Sequence, residues 1–301
     1  MELIVICFLR MFKRQRTGSV VCASCGSLVG VNDEKCYTCG RRNPGLWGFG
    51  PMLRRLGNDL GFASIVIYTC GGLYIAALLM SVARGSNVMG GGPMSILSPD
   101  GLALFAFGSS GSVPVFQYGR WWTILSAGWL HASVLHILFN MMWVRDLGPA
   151  TADLFGASRM VIIYIVGGAC GFVASTLAGA YLDWMPIYFL RGGDITVGAS
   201  APIFALLGAL VCYGTQTGSS MVRGQALNFA IILGIFGLLP GTAVDNYAHG
   251  GGFVGGYLIA RLMNPLHRER GDHMLIAVLL LLATAGAIGW SLISFVFLAT
   301  S

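Results

Sequence analysis

One stretch of sequence decides the fold, GRWWTILSAGWLHASVLHILFNMMW at residues 119–143. The residues from Trp121 to Val144 are mostly apolar, and they are numerous enough for a helix that crosses a membrane, which needs about 20 residues. Six further stretches predict spans of the same kind: 61–83, 160–182, 197–213, 225–239, 243–263 and 274–298. The sequence therefore predicts an all-α polytopic membrane protein with seven spans.

The composition of the whole chain agrees with a membrane protein. Of its 301 residues, 55% are hydrophobic and 10% are charged, whereas soluble domains average roughly 25% charged residues. A soluble enzyme is therefore disfavoured, and so is a disordered chain, which would be polar and charged. One further apolar stretch, 101–119, is interrupted by Gly108, Gly111 and Pro114. We expect a loop that dips into the membrane interface there, because each break would leave backbone groups unpaired in lipid.

Basic residues are unevenly distributed along the chain. Half of the 18 Lys and Arg residues lie within the first 61 residues. If the N-terminus is cytoplasmic, fifteen of the 18 fall on the cytoplasmic side, as the positive-inside rule requires. Seven spans then place the C-terminus outside. The first twelve residues are too few to span, and Glu2 argues against a signal peptide.

Three polar residues within the second predicted span are candidates for function: His131, His136 and Asn140. Ionisable residues inside a span are costly and are functional candidates by default. His136 and Asn140 are four residues apart and share a helix face, so for this pair a functional role is favoured over hydrogen bonding between helices. For His131, which lies off that face, hydrogen bonding between helices is favoured.

Ser200 stands at the start of the fourth predicted span, in the stretch Gly198-Ala199-Ser200-Ala201-Pro202. Pro202 suits the first turn of a helix, where no backbone donor is needed. Ser200 therefore lies where free backbone N–H groups and the helix dipole can stabilise an oxyanion. Taken alone, the same serine is better explained as an N-cap.

His249 lies in the sixth predicted span, with Gly252 and Gly256 on the same helix face. A glycine-lined face lets another helix approach closely, and Ser200 and Phe204 share one face of the fourth span. If these two faces meet, His249 can reach Ser200. A hydroxyl within hydrogen-bond reach of an imidazole is a minimal activated nucleophile.

Four of the eight cysteines form two Cys-x2-Cys pairs in the basic N-terminal region, at Cys22, Cys25, Cys36 and Cys39. Two such pairs can present four thiolates tetrahedrally, as a structural zinc site requires. The alternatives are an iron site and two disulfides, which a reducing cytoplasm disfavours. We predict a zinc ribbon over 18–44, folded by its metal. An N-terminal segment (1–17) precedes it in the chain, and a linker (45–60) and a membrane domain (61–301) follow it.

Together these motifs resemble the rhomboid family of intramembrane serine proteases. The resemblance rests on His136-x3-Asn140, Gly198-x-Ser200 and Ala248-His249-x2-Gly252-x3-Gly256, in the second, fourth and sixth predicted spans. It implies a six-helix core with a cavity open to the outside, and the seventh span looks like the extra C-terminal helix of some rhomboids. The N-terminal segment resembles the zinc ribbons attached to many bacterial membrane proteins.

The resemblance also implies a role for each motif residue. Ser200 would be the nucleophile and His249 the general base, with Phe204 stacked on the histidine ring. The Ser200 backbone N–H would stabilise the oxyanion together with His136 and Asn140. Three glycines would support the site: Gly198, Gly252 and Gly256.

Two positions depart from the family pattern. Ala201 replaces the second glycine of the usual GxSG, and we expect its methyl group to be tolerated. Thr123 follows Trp122 where the family often has Trp-Arg, and we expect the missing arginine to weaken the first loop rather than the chemistry. Asp245, one turn before His249, is interpreted as an interfacial end charge.

The predicted function is hydrolysis of peptide bonds in or near transmembrane segments of membrane-protein substrates through a Ser–His dyad, with no catalytic cofactor. The alternative is a catalytically inactive relative that binds membrane clients. The expected partners are transmembrane substrates and the lipid bilayer, with no nucleic acid, and the zinc ribbon could bind a cytoplasmic partner or regulate the protease. The expected location is a bacterial plasma membrane, with the N-terminus cytoplasmic.

Overall fold

The computed structural model describes residues 14–22, 26–51, 56–90, 95–187, 191–238, 244–267 and 269–300. The chain divides into two compact units, Met1–Gly61 and Phe62–Ser301. Cys25 and most of the predicted N-terminal segment lie outside the described residues.

The N-terminal unit is built on a two-stranded antiparallel sheet of β1 (Ser19–Val21) and β2 (Leu28–Gly30). Val20 pairs with Val29 in this hairpin, and both side chains are buried. They pack with Val31 and with two cysteines, Cys22 and Cys36. So small a core stabilises a fold only weakly, which is why such units commonly need a metal.

The second unit is all-helical among its described residues. Its helices are α1 (Phe62–Ala83), α2 (Gly101–Phe107), α3 (Thr123–Ser126), α4 (Val134–Phe155), α5 (Ala157–Tyr181), α6 (Ser200–Thr217), α7 (Ser220–Gly237), α8 (Asn246–Leu262) and α9 (Gly271–Thr300). A π turn at Ile163–Gly167 lies within α5. Helix therefore occurs at each of the seven predicted spans.

Four helices of the described residues are long and apolar enough to cross a membrane, namely α1, α5, α7 and α9. Thr123–Trp129 and Val134–Phe155 would add a fifth if this bent pair is one span. Helices α6 and α8 occupy the fourth and sixth predicted spans but fall outside this set. Helix α6 is buried along most of its length, and three glycines of α8 are buried: Gly252, Gly255 and Gly256. The second unit is thus an all-α polytopic membrane unit.

The second predicted span differs from the structure. A single helix over 121–144 is expected from the sequence, but α3 ends early and the chain bends by 94° before α4. Leu130 is extended at the bend (ψ 155°). The Ser133 side chain then accepts a hydrogen bond from the His136 backbone N–H at 3.3 Å. This N-cap starts the helix about a dozen residues later than predicted.

The stretch expected to be an irregular loop, 101–119, contains the short helix α2. The Asp100 side chain caps α2 by accepting from the Ala103 N–H at 2.7 Å, and Gly108 ends the helix with φ at 104°. With seven residues, α2 is too short to span, as the sequence indicates. The capping aspartate was the available signal for this helix.

Helices α6 and α8 form the centre of the second unit, with their backbones in contact. A Cβ added at Gly252 would lie 2.3 Å from the Ala201 carbonyl oxygen, and one at Gly256 would lie 2.0 Å from the Ala205 carbonyl oxygen. Real Cβ atoms do not approach an oxygen so closely. The glycine face of α8 therefore lies directly against α6, and only glycine fits at these two positions.

Candidate active site

Ser200 is the first residue of α6, and a tightly folded segment leads into it. Gly198 has φ at 133°, a conformation that favours glycine. Its N–H donates to the Ala127 carbonyl oxygen at 3.0 Å. The serine is thereby held at a helix N-terminus, where backbone N–H groups lack helical partners.

His249 lies in the first turn of α8, and an aromatic ring orients it. The Phe204 ring of α6 stacks on the imidazole with centroids 4.2 Å apart and planes at 17°. The His249 Nδ1 atom is buried and has no hydrogen-bond partner among the described residues. Stacking on Phe204, rather than a carboxylate, therefore sets the orientation of this ring.

Asp245 has a structural role beyond that of the interfacial end charge that the sequence suggests. Its side chain caps α8 by accepting from the Ala248 N–H at 2.9 Å. Its other carboxylate oxygen accepts a short hydrogen bond from the Ser175 hydroxyl of α5. The residue therefore ties the start of the helix that carries His249 to a neighbouring helix.

His136 lies in the first turn of α4, and its tautomer follows from one contact. The Ala132 N–H donates to His136 Nδ1 at 3.3 Å, so a neutral imidazole carries its proton on Nε2. That Nε2 lies 2.6 Å from the position that a Cβ at Gly198 would occupy, and Ser200 Oγ lies 3.6 Å from the same point. The Nε2–H donor is therefore directed at the approach to Ser200.

Asn140 lies one turn further along α4 and is buried. Its Nδ2 atom has no hydrogen-bond partner among the described residues. A buried unpaired amide is costly, so this donor is available to a ligand.

His131 does not make the hydrogen bonds between helices that the sequence suggests. It is buried, and neither of its ring nitrogens has a partner among the described residues. Its ring instead meets the His136 ring edge to face, with centroids 5.0 Å apart.

A cavity of about 1120 Å³ brings the candidate residues together. Ser200, His249, His136 and Asn140 all line it. Apolar side chains of α4 and α7 form one wall, and the segment 191–197 contributes polar groups. Several of those apolar side chains are themselves exposed at the surface of the helices: Phe139, Met142, Ile232 and Phe236.

Ala201, the departure from the usual glycine, fits its surroundings. Its methyl group is buried in a cluster with Ala127, Phe172 and Ala248. It faces Gly171 of α5, where an added Cβ would lie 2.9 Å from that methyl carbon. A glycine on the neighbouring helix thus makes room for the alanine.

The first loop (residues 101–130, between α1 and α4) contains a buried arginine, although Thr123 follows Trp122. Arg120, on the other side of the tryptophan pair, is 1% exposed and donates to the Phe105 and Ser291 carbonyl oxygens at 2.5 and 2.8 Å. A buried arginine therefore ties this loop to α2 and α9 from the position before the tryptophan pair.

Three of the four predicted metal ligands lie together in the N-terminal unit. The ligand atoms of Cys22, Cys36 and Cys39 are all within 4.8 Å of one another, and they could hold a metal ion. The Cys22 and Cys39 sulfurs are 3.7 Å apart, close to the edge of about 3.8 Å in a tetrahedron with ~2.3 Å zinc–sulfur bonds. No disulfide joins these three cysteines to one another. The fourth, Cys25, lies outside the described residues.

The glycine that follows each Cys-x2-Cys pair makes the same hydrogen bond, to the first cysteine of its pair. The Gly26 N–H donates to the Cys22 carbonyl oxygen at 3.1 Å, and the Gly40 N–H donates to the Cys36 carbonyl oxygen at 2.8 Å. Both glycines have positive φ, 78° and 71°, as the sequence predicts for turns around a metal. The three described sulfurs and the two glycine turns therefore fit a metal ion.

The fold and the cavity define a polytopic membrane protein with a serine and a histidine on two touching helices. Residues 118–266 match the family model described as "Rhomboid domain". This match and the relatives below support the rhomboid family for the chain. The N-terminal unit and α9 lie outside the matched segment.

Curated relatives agree with that assignment. The chain is 34% identical to RHOMBOID-like protein 7 of Arabidopsis thaliana over 56% of the chain and 51% of the relative. It is 31% identical to rhomboid protease GluP of Bacillus subtilis over 63% and 35%, and 32% identical to rhomboid protease GlpG of Yersinia pestis over 48% and 49%. The chain thus spans about half or less of the length of each relative.

Proposed function

We propose that this protein is an intramembrane serine protease that cleaves membrane-protein substrates through a dyad of Ser200 and His249. One observation carries the proposal. The helix-start serine, the stacked histidine and two candidate oxyanion donors all line one cavity in a chain whose relatives include rhomboid proteases.

In the proposed reaction, the Ser200 hydroxyl attacks the scissile carbonyl carbon while His249 takes the hydroxyl proton. His249 then gives this proton to the leaving amine, and the acyl group remains on Ser200 Oγ. A water molecule gives a proton to the same imidazole and attacks the acyl carbon. The bond from that carbon to Ser200 Oγ then breaks, the imidazolium returns the proton to Oγ, and the carboxylic acid leaves. Phe204 holds the imidazole in place throughout, so no third catalytic residue is required.

The negative charge on the tetrahedral intermediate needs donors placed in advance. The Ser200 backbone N–H, His136 Nε2–H and Asn140 Nδ2–H are the three candidates. The contact from Ala132 keeps Nε2 protonated, and the Asn140 amide has no competing partner among the described residues. Both donors are therefore available when the charge develops.

The wall of the cavity favours an apolar, membrane-embedded substrate. Side chains of α4 and α7 that line it are also exposed at the helix surface, where they would face lipid. A substrate helix keeps its carbonyl groups in internal hydrogen bonds. We therefore expect cleavage at segments with small or helix-breaking residues, which unwind at low cost.

The alternative of an inactive relative that only binds clients loses its one argument from the sequence. That argument is Ala201, the one sequence feature that hints at an inactive relative, and the contact with Gly171 accommodates its methyl group. Both members of the proposed dyad are also present. The protease is therefore the better-supported function.

For the N-terminal unit we propose a structural zinc ion bound by Cys22, Cys25, Cys36 and Cys39. The close cysteine sulfurs and the matched glycine turns support it. Four protein ligands leave no open position, so the zinc would stabilise the fold without taking part in catalysis.

The test of the protease is cleavage of a transmembrane reporter in proteoliposomes by wild type, Ser200→Ala, His249→Ala and the double variant. Residues that act as one unit give similar, non-additive losses. We expect each single variant to lose cleavage as fully as the double variant, with an unchanged unfolding temperature. Near wild-type cleavage by either single variant would refute the dyad.

A further inference from the structure

The C-terminal helix α9 buries one narrow face against the second unit. Thr284, Ala287 and Ser291 on this face are at most 6% exposed, whereas many of its large apolar side chains are exposed. Gly108, at the end of α2, lies against the same face, since a Cβ there would be 2.5 Å from Ser291 Oγ. The helix therefore contacts the first loop at a closely packed point.

Arg120 and Trp122 of that loop both bind Ser291. Arg120 Nη2 donates to the Ser291 carbonyl oxygen at 2.8 Å, and Trp122 Nε1 donates to Ser291 Oγ at 3.0 Å. The Arg120 guanidinium also lies 4.2 Å over the Phe105 ring, and the Trp122 ring packs edge to face on Trp290. The buried Arg120 charge thus joins α2 and α9 to the loop.

The same loop is hydrogen-bonded to the segment that leads into Ser200. Ser110 and Thr196 exchange two backbone hydrogen bonds of 3.1 and 2.8 Å, and the Ser112 N–H donates to the Gly193 carbonyl oxygen at 3.0 Å. At the other end of the loop, the Ala127 carbonyl oxygen accepts from the Gly198 N–H. A displacement of the loop would therefore displace the approach to the proposed nucleophile.

We propose that α9 is a brace for the candidate active site, with Arg120, Trp122 and Ser291 as positioning residues. Because α9 holds the loop in place, it keeps Ser200 and the His136 Nε2–H donor in the geometry that stabilisation of the oxyanion requires. This inference rests on the proposed protease function. It assigns a catalytic consequence to a helix that lies outside the matched segment 118–266.

The experiment compares Ser291→Ala, Trp122→Phe and the double variant, each of which removes the same hydrogen bond. Thr284→Val is the matched control, because Thr284 lies on the same buried face and its hydroxyl has no partner among the described residues. Two rates are measured well below the unfolding temperature: labelling by a fluorophosphonate, and steady-state cleavage of a reporter. Hydrogen exchange of residues 101–130 is followed in the same samples.

We expect kcat and the labelling rate to fall about two- to tenfold in each single variant, the effect of one hydrogen bond, with KM unchanged. The double variant should be no slower than the slower single variant. Exchange in the loop should become faster, and Thr284→Val should match wild type. Wild-type rates in both single variants, or an equal loss in Thr284→Val, would overturn the brace.

Failure of the proposed function would give a different result. In that case wild type and Ser200→Ala would label alike, and the rates could not report on the brace. Hydrogen exchange of residues 101–130 then decides the question. Faster exchange in Ser291→Ala and Trp122→Phe but not in Thr284→Val supports the brace. Unchanged exchange refutes it.

Discussion

Replacing Gly252 by alanine should disable the proposed active site without removing any chemical group from it. The added Cβ would lie 2.3 Å from the Ala201 carbonyl oxygen, whereas ordinary contacts begin at 3.4 Å. Helices α6 and α8 must therefore separate by about 1 Å at this point, since backbone cannot rotate away as a side chain can. Overpacking of this kind costs about 1–3 kcal/mol of stability.

The same separation should also slow the proposed reaction. Gly252 follows His249 by one turn, and the Ala201 carbonyl belongs to the residue after Ser200. The separation thus falls between the proposed base and its nucleophile, where a misplacement of 1 Å can cost about 10²-fold in rate. We expect the fluorophosphonate labelling rate to fall by about that factor, measured beside the unfolding temperature in the same detergent.

Gly250→Ala is the matched control on the same helix. A Cβ at Gly250 would meet nothing within 4 Å, and alanine is favoured over glycine in a helix by about 1 kcal/mol. This variant should label at the wild-type rate. A wild-type labelling rate in Gly252→Ala, or an equal loss of labelling rate in Gly250→Ala, would contradict the reasoning. The close contact between α6 and α8 would then not determine the geometry of the proposed active site.

Three further predictions concern other parts of the chain. Asn140→Ala should lower kcat by about 10²–10³ with little change in KM; a raised KM with normal kcat would make Asn140 a substrate-binding residue. Cys36→Ser should lose zinc by metal analysis yet keep labelling by fluorophosphonate, while Cys212→Ser keeps its zinc; full zinc retention in Cys36→Ser would contradict the four-cysteine site. Ala201→Gly should retain cleavage and Ala201→Val should lose it, because a larger side chain has no room beside α5; equal cleavage by both variants would contradict this packing.

The helical architecture could be predicted because apolar length alone determines where a membrane helix can form. The stretches behind α1, α5, α7 and α9 are continuous and carry few charges, and the structure has helices there. The bend before α4 could not be predicted in the same way. The residues on both sides of it are equally apolar, and the bend depends on the Ser133 cap and an extended Leu130.

The candidate site was predictable where it depends on spacing along one helix. His136 and Asn140 share a face because they are four residues apart, and Gly252 follows His249 on the face that packs against α6. Contacts between distant segments leave no such pattern. The hydrogen bond from Ser175 to Asp245 joins residues 70 positions apart, and that from Arg120 to Ser291 joins residues 171 apart.

The measurement that tests the central claim most directly is the site of fluorophosphonate attachment in the purified protein. The account predicts one adduct per chain, located by mass spectrometry on the peptide that contains Ser200, and absent from Ser200→Ala and His249→Ala. An adduct on another residue, or equal labelling of wild type and Ser200→Ala, would contradict the assignment of Ser200 as the nucleophile.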